Sequence, residues 1–237
     1  MPITNLQDPQ PRRRARLMGN AATITADLGA EVPVDCVALI STTLGAGAMV
    51  QARLSNVMNF GVTLADTGPL NAEAQDESQG NVVLVLPVPV TARYLRVDLT
   101  DGAAPCMDIG LLVAGRLWRL QRGTAYGIRE GRVMLDRRDR NPFTGAEFPV
   151  PTIINPRFAA FTLPALSVAE ARNQHRDLLL RLGAAGDALW IAELGDSLAE
   201  RNRRAIWGAV NAPGEEASAS RESFPFTARA VRMVERV

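Results

Sequence analysis

Between Ala21 and Trp118 apolar and polar residues alternate, or form short apolar runs broken by turn residues, which is the pattern of β-strands. ATITADLG alternates and stops at Gly29; VDCVALIST is β-rich and ends at the turn LGAGA; MVQARLSN alternates again. A loop of small and acidic residues from Asn71 to Gly80 precedes VVLVLPV, TARYLRVDLT and MDIGLLVAGRLW. Six or more short strands at this spacing predict an antiparallel sandwich or jelly roll. Pro87 and Pro89 cannot donate to a sheet ladder, so their segment belongs at a sheet edge or a bend.

The pattern changes in the second half. GRVMLDRRDRNPFTGAEFPVP predicts two short strands around a polar turn, and RFAAFTLPAL at 157–166 another strand. One helix follows at about 167–182. Ser167 and Glu170 make a capping box and Gly183 supplies the stop. Val168, Ala171, His175, Leu178, Leu179 and Leu182 recur at helical spacing and predict one buried stripe. DALWIAEL, RRAIWGAVN and SFPFTARAVRMVERV read as strands, the last two separated by the polar, mobile loop GEEASASRES. No internal repeat is evident.

Residues 1–19 read as an extended basic arm: Pro2, Pro9 and Pro11 break any helix, and Arg12, Arg13, Arg14 and Arg16 form a basic knot. Such an arm is either a solvated tail or a strap laid on a neighbouring subunit, with those four arginines as the contact. The resulting domain division is arm 1–19, sandwich 20–120 and an α+β domain 121–237. The fold class is mainly β: an antiparallel sandwich followed by a small α+β domain with one amphipathic helix.

Composition narrows the function. With 237 residues and 47% hydrophobic content the chain can bury a sizeable core. The longest apolar run, Val82 to Val90, contains two prolines and is far too short to span a bilayer, and the N-terminus lacks the apolar stretch of a secretory signal. The expectation is a soluble protein made in the cytoplasm, without membrane insertion. All 26 basic residues are arginine against 25 acids, and neither half has the excess that phosphate-backbone binding requires, so nucleic acid is not an expected partner.

Candidate chemistry is sparse. Gly195-Asp196-Ser197-Leu198 spells the GDSL block of a serine esterase family, but no histidine follows it, and a serine without a base is not an activated nucleophile. The block is read as a strand-to-turn exit. His175, the single histidine, lies on the helix stripe and reads as a core or interface residue. Asp136, Asp139, Asn141 and Glu147 could offer oxygens to calcium, but their spacing is not that of an EF-hand and arginines interleave, which fits a charged hairpin turn. Trp118, Trp190 and Trp207 are either sugar-stacking platforms or core residues, each lying in an apolar strand. Cys36 and Cys106 sit beside apolar runs, as buried free thiols or, less simply, a disulfide. No catalytic, cofactor or metal site is expected.

Two resemblances follow from particular segments. TADLGA with Asp27-Leu28-Gly29, VDCVALIST, VQARLSN, TARYLRVDLTD with Arg93, Tyr94 and Arg96, and DIGLLVAG resemble, in order and spacing, the strands of the discoidin family of coagulation-factor C-terminal type. That resemblance implies a discoidin-like β-sandwich. The aromatic ligand rim and bracketing cysteine pair common in that family are missing here. The segments LLVAGRLWRLQRGTAYGI, PRFAAFTLPALSVAEARNQHRDLLLRLG, RRAIWGAVN and FPFTARAVRMVERV resemble structural proteins of the tail tip or baseplate of long-tailed bacteriophages and gene transfer agents.

The second resemblance implies a non-catalytic virion component, located in the tail, that partners other tail proteins and forms a homo-oligomeric ring. The competing expectation is a non-catalytic carbohydrate-binding module for a cell-surface glycan. A hydrolase resting on Asp196 and Ser197 is the third and weakest.

Overall fold

The computed structural model describes residues 2–74, 80–122, 128–135, 137–150, 155–183, 186–211, 216–218 and 226–236. In chain order the first strands are β1 (Ala15–Met18), β2 (Ala21–Thr42), β3 (Met49–Ser55), β4 (Ala65–Asp66), β5 (Leu70–Asn71), β6 (Val82–Thr100) and β7 (Cys106–Gly115). Then come β8 (Arg129–Arg132), β9 (Arg137–Arg140), β10 (Glu147–Val150), β11 (Arg157–Leu166), β12 (Asp187–Trp190), β13 (Ile206–Asn211), β14 (Glu216–Ser218) and β15 (Phe226–Glu235). Two α-helices, α1 (Arg176–Leu182) and α2 (Leu198–Arg204), interrupt them. All the strand pairs described are antiparallel. No described helix is long and apolar enough to cross a membrane.

The chain divides into two compact units: Met1–Trp118 with Ile191–Ala205, and Arg119–Trp190 with Ile206–Val237. This departs from the simple division expected at residue 120. The segment after β12 returns to the first unit and carries α2 with it, for reasons given below.

The first unit is an antiparallel β-sandwich folded from two unusually long strands. β2 and β6 pair twice, out of step. Residues 28–31 loop out of β2 where only Arg93 intervenes on β6, and residues 86–89 loop out of β6 where only Asp35 intervenes on β2. The first irregularity begins where Asp27 Oδ1 accepts the Gly29 N–H at 2.8 Å and Gly29 takes φ 82°, a conformation that glycine adopts without steric cost. The second contains Pro87 and Pro89, as expected for a bend. Each half-strand then finds a different neighbour. The end of β2 joins β7 and, through it, β1, whereas the end of β6 joins β3, which carries β4 and β5.

The two layers share one core. Ile24 from the start of β2, Leu39 from its end, Leu54, Leu84, Val97, Leu99 and Ile109 are buried in one cluster.

The arm proves to be part of this sandwich, which corrects its reading as an extended arm. Residues 3–7 form a 3-10 turn whose Leu6 is buried in the core, and β1 completes the sheet beside β7. Pro11 passes so close to β7 that a Cβ on Gly110 would stand 2.3 Å from its carbonyl oxygen. The basic knot is largely used internally. Arg16 binds Asp108, Arg14 donates to Ser41 Oγ at 2.9 Å, and Arg13 pairs with Asp8 at 3.0 Å, while Arg12 is exposed.

In the second unit the strand order is β12-β13-β15-β11-β8, with β14 on β15, and β9–β10 forms a separate two-stranded hairpin. Phe161, Leu163, Ala171, Ile206, Val231 and Met233 are buried. Arg157, at the start of β11, meets Glu235, at the end of β15, through backbone and guanidinium hydrogen bonds, so the buried charges neutralise each other. The Ser167–Glu170 capping box is present: Ser167 Oγ accepts the Glu170 N–H at 3.2 Å, and Glu170 Oε2 accepts from Ser167 N at 3.0 Å.

The helix differs from expectation in two ways. A π-helical turn over Glu170–His175 precedes α1, and of the expected buried stripe only Ala171 and His175 are buried: Val168 is 41% exposed, and Leu178, Leu179 and Leu182 are half-buried. The fold also holds a second helix, α2, where the sequence predicts only one. Within the expected polar loop, residues 216–218 form β14 and the rest lies outside the described residues.

Candidate functional site

The sandwich layer built from β2, β6 and β3 has one face in the core and one outside. Strand alternation sends Ile24, Leu95, Val97, Val50 and Leu54 inward. The same alternation leaves Thr23, Asp98 and Gln51 in one cross-strand row and Thr25, Arg96 and Arg53 in the next. Asp98 is the hub of this outer face. Thr23 Oγ1 donates to its Oδ1 at 2.6 Å, Arg96 Nε donates to the same oxygen at 2.9 Å, and Arg53 donates to Oδ2. Gln51 Nε2 donates to Asp66, on β4, at 2.7 and 3.0 Å.

Burial by itself pushes the Asp98 carboxyl up, but the hydrogen bonds from Thr23, Arg53 and Arg96 together outweigh it and hold the group below its ordinary range. Asp98 is therefore a fixed acceptor rather than a proton carrier near neutral pH. The face continues to Asp27, whose carboxylate binds Arg93 through Nε and Nη2 at 3.0 and 2.9 Å. That guanidinium also lies 5.2 Å from the centre of the Tyr94 ring. Arg53, Arg93 and Arg96 are balanced by Asp27, Asp66 and Asp98, so the face is dense in fixed donors and acceptors without net charge. In the sequence Asp27, Arg93, Tyr94 and Arg96 stand only as strand markers. Alternation with buried Leu95 and Val97 is the signal that Tyr94, Arg96 and Asp98 share an outer face, and Arg93, at the break in register, is joined to it only through Asp27.

The residues singled out from the sequence fall elsewhere. Ser197 of the GDSL block is the N-cap of α2, its Oγ accepting the Glu200 N–H at 3.3 Å. This corrects the strand-exit reading, and the S-x-x-E spacing of Ser197 and Glu200 was the same signal used at Ser167. Asp196 pairs with Arg204 at 3.1 Å, so both polar side chains of the block serve the helix. His175 is 3% exposed within the second unit.

Asp136 lies outside the described residues. Asp139, Asn141 and Glu147 belong to the β9–β10 hairpin, where Asn141 builds the turn, and among the described residues no group of His, Cys, Asp or Glu is arranged to hold a metal. Trp190 stacks on Phe161 at 4.0 Å, which occupies one face of its ring, and Trp118 and Trp207 are half-buried. Cys36 and Cys106 are both free thiols.

α2 is tied down by two buried carboxamides. Asn202 Oδ1 accepts the Val83 N–H at 2.8 Å, and its Nδ2 donates to Ala72 O at 2.7 Å. Asn81 Nδ2 donates to Ala205 O at 3.2 Å. These bonds tie α2 and the residue after it to β6 and to the segment that follows β5, satisfying buried backbone groups and holding residues 191–205 in the first unit.

No family model matches this chain, and no curated protein matches it. Among solved structures, CpGH89CBM32-6 from Clostridium perfringens aligns with a TM-score of 0.38 and 13% identity, over 48% of this chain and 84% of that one. A Bacteroides ovatus protein assigned as an alpha-L-fucosidase aligns with a TM-score of 0.30 and 12% identity, over 95% of this chain and 34% of that one. Neither comparison brings in a phage tail protein.

Proposed function

We propose that this chain is a non-catalytic recognition protein whose sandwich binds an uncharged cell-surface glycan on the outer face of β2, β6 and β3. The observation that carries the reading is the Asp98 hub. A sugar offers alternating hydroxyl donors and acceptors, and a face of ordered, mutually neutralised carboxylates, guanidiniums and amides matches that chemistry without attracting polyanions. The lowered carboxyl of Asp98 and the capping role of Ser197 both favour binding over reaction.

The test is calorimetry of the full chain against the oligosaccharides that score on a glycan array. Asp98→Asn and Gln51→Ala are expected to weaken binding by about tenfold or more, with melting temperatures recorded alongside. Absence of binding to every glycan, or binding that neither substitution changes, would sink the reading.

A second reading, a structural part of a virion tail, draws support from the β9–β10 hairpin, which pairs with no other described strand and presents Phe143 at 96% exposure. Such a hairpin suits a part that is covered in an assembly. Immunogold labelling of virions with an antibody to this chain tests it, and unlabelled tails would reject it.

A further inference from the structure

The outer face of the second unit's sheet carries two arginines in one cross-strand row. Register places Arg129 of β8 opposite Ala160 of β11, and Ala160 opposite Arg232 of β15, so the three side chains stand on the same face. Their chain neighbours Ala159 and Met233 face the core and are buried, whereas Arg129 and Arg232 are exposed. Two strand spacings set the arginine Cα atoms about 9.5 Å apart, with only the methyl group of Ala160 between them. Among the described residues no carboxylate pairs with either guanidinium. Asp187 is engaged with Arg236 at 2.9 Å, Glu235 with Arg157, and Glu130 lies in the row of Ala159 on the opposite face.

The next row on this face is apolar. A Cβ on Gly131 would stand 3.0 Å from Phe158 Cε1, so the phenyl ring lies over the glycine, which leaves it that room. The Arg232 guanidinium lies 5.1 Å from the centre of the same ring. This cation–π contact restrains the guanidinium beside Ala160 and leaves its N–H edge to an acceptor. Val234 stands opposite Phe158, and both are half-buried.

We propose that Arg129 and Arg232 together bind the carboxylate of a uronic acid over Ala160, with the sugar ring along Phe158 and Val234. Two guanidiniums this close repel each other, and an oxyanion that accepts from both removes the repulsion. A planar carboxylate matches the guanidinium fork and carries one charge. A chain of net charge +1 lacks the broad basic field that a phosphate polyanion calls for. The apolar row beside the arginines suits the C–H face of a sugar ring, which a bare inorganic anion does not have. The site uses none of the residues around Asp98 and does not depend on the glycan reading of that face.

Calorimetry of the full chain against glucuronate at fixed ionic strength tests this, with glucose, acetate and inorganic phosphate as the other probes. Glucuronate is expected to bind, and the other three to bind at least about tenfold more weakly, because each lacks either the carboxylate or the ring. Arg129→Gln and Arg232→Gln should each weaken glucuronate binding by about tenfold or more. Melting temperatures recorded alongside establish that these exposed substitutions leave the chain folded. Asp98→Asn should leave glucuronate binding unchanged, which separates this site from the sandwich face. Failure of glucuronate to bind overturns the proposal. So does binding that either arginine variant retains in full, that Asp98→Asn abolishes, or that glucose, acetate or phosphate matches.

Discussion

Arg16 holds Asp108 through two parallel hydrogen bonds, Nε to Oδ1 at 2.7 Å and Nη2 to Oδ2 at 2.8 Å. The pair lies in the β1–β7 ladder, where Arg16 is directly opposite Asp108. It fixes the N-terminal segment to the sandwich, along with buried Leu6 and the close passage of Pro11 over Gly110.

Asp108 is held below its ordinary value of 3.8, first by the hydrogen bond from Arg16 and with burial acting against it. A carboxylate lowered on folding adds stability above its unfolded value and loses that contribution as pH falls through its folded value. Asp108→Asn should therefore be less stable than wild type at neutral pH. The gap should narrow as pH drops below about 4. Denaturant titrations of both proteins at several pH values check this, and a gap that widens in acid would contradict it.

Substitutions in α2 separate a buried tie from a surface cap. Asn202→Ala leaves the Val83 N–H and the Ala72 carbonyl without their partner in a fully buried site, and should cost about 3 kcal/mol. Ser197→Ala removes only the exposed cap and should cost about 1 kcal/mol. Equilibrium unfolding measures both. A Ser197 effect larger than that of Asn202 would show that the block matters beyond capping.

The sequence made legible those elements whose signals are local. β11 and the β9–β10 hairpin lie where alternation and turn residues put them, and the Ser167–Glu170 capping box forms as its spacing requires. Pro87 and Pro89 marked the bend. What escaped depends on partners distant in the chain. Nothing local to Arg16 announces Asp108, and nothing local to Asn202 announces Val83, more than a hundred residues earlier. Without those partners the sequence offers residues 1–19 only as a solvated tail or a strap on a neighbouring subunit, and nothing in it marks the return of residues 191–205. The Asp98 face was half legible, since alternation marks its strands but not which outward residues meet across them.

Register also decides the fate of the two cysteines. Cys36 pairs with Gly115 at one end of β7, and Cys106 begins the other end. Nine strand residues separate the two positions by about 30 Å, far beyond the reach of a disulfide. Burial, 4% exposure, pushes the Cys36 thiol up to about 12, with Asp35 adding to the rise. Native protein at pH 8 should therefore show no intramolecular disulfide. Its alkylation should survive Cys36→Ser and be lost in Cys106→Ser, because Cys106 is the half-buried thiol. The raised thiol adds stability below its ordinary value of 9.0 that fades as pH climbs from there towards 12. Cys36→Ala should accordingly flatten the alkaline limb of the stability curve. Rapid modification of Cys36 in the folded chain would contradict the buried, protonated state assigned to it.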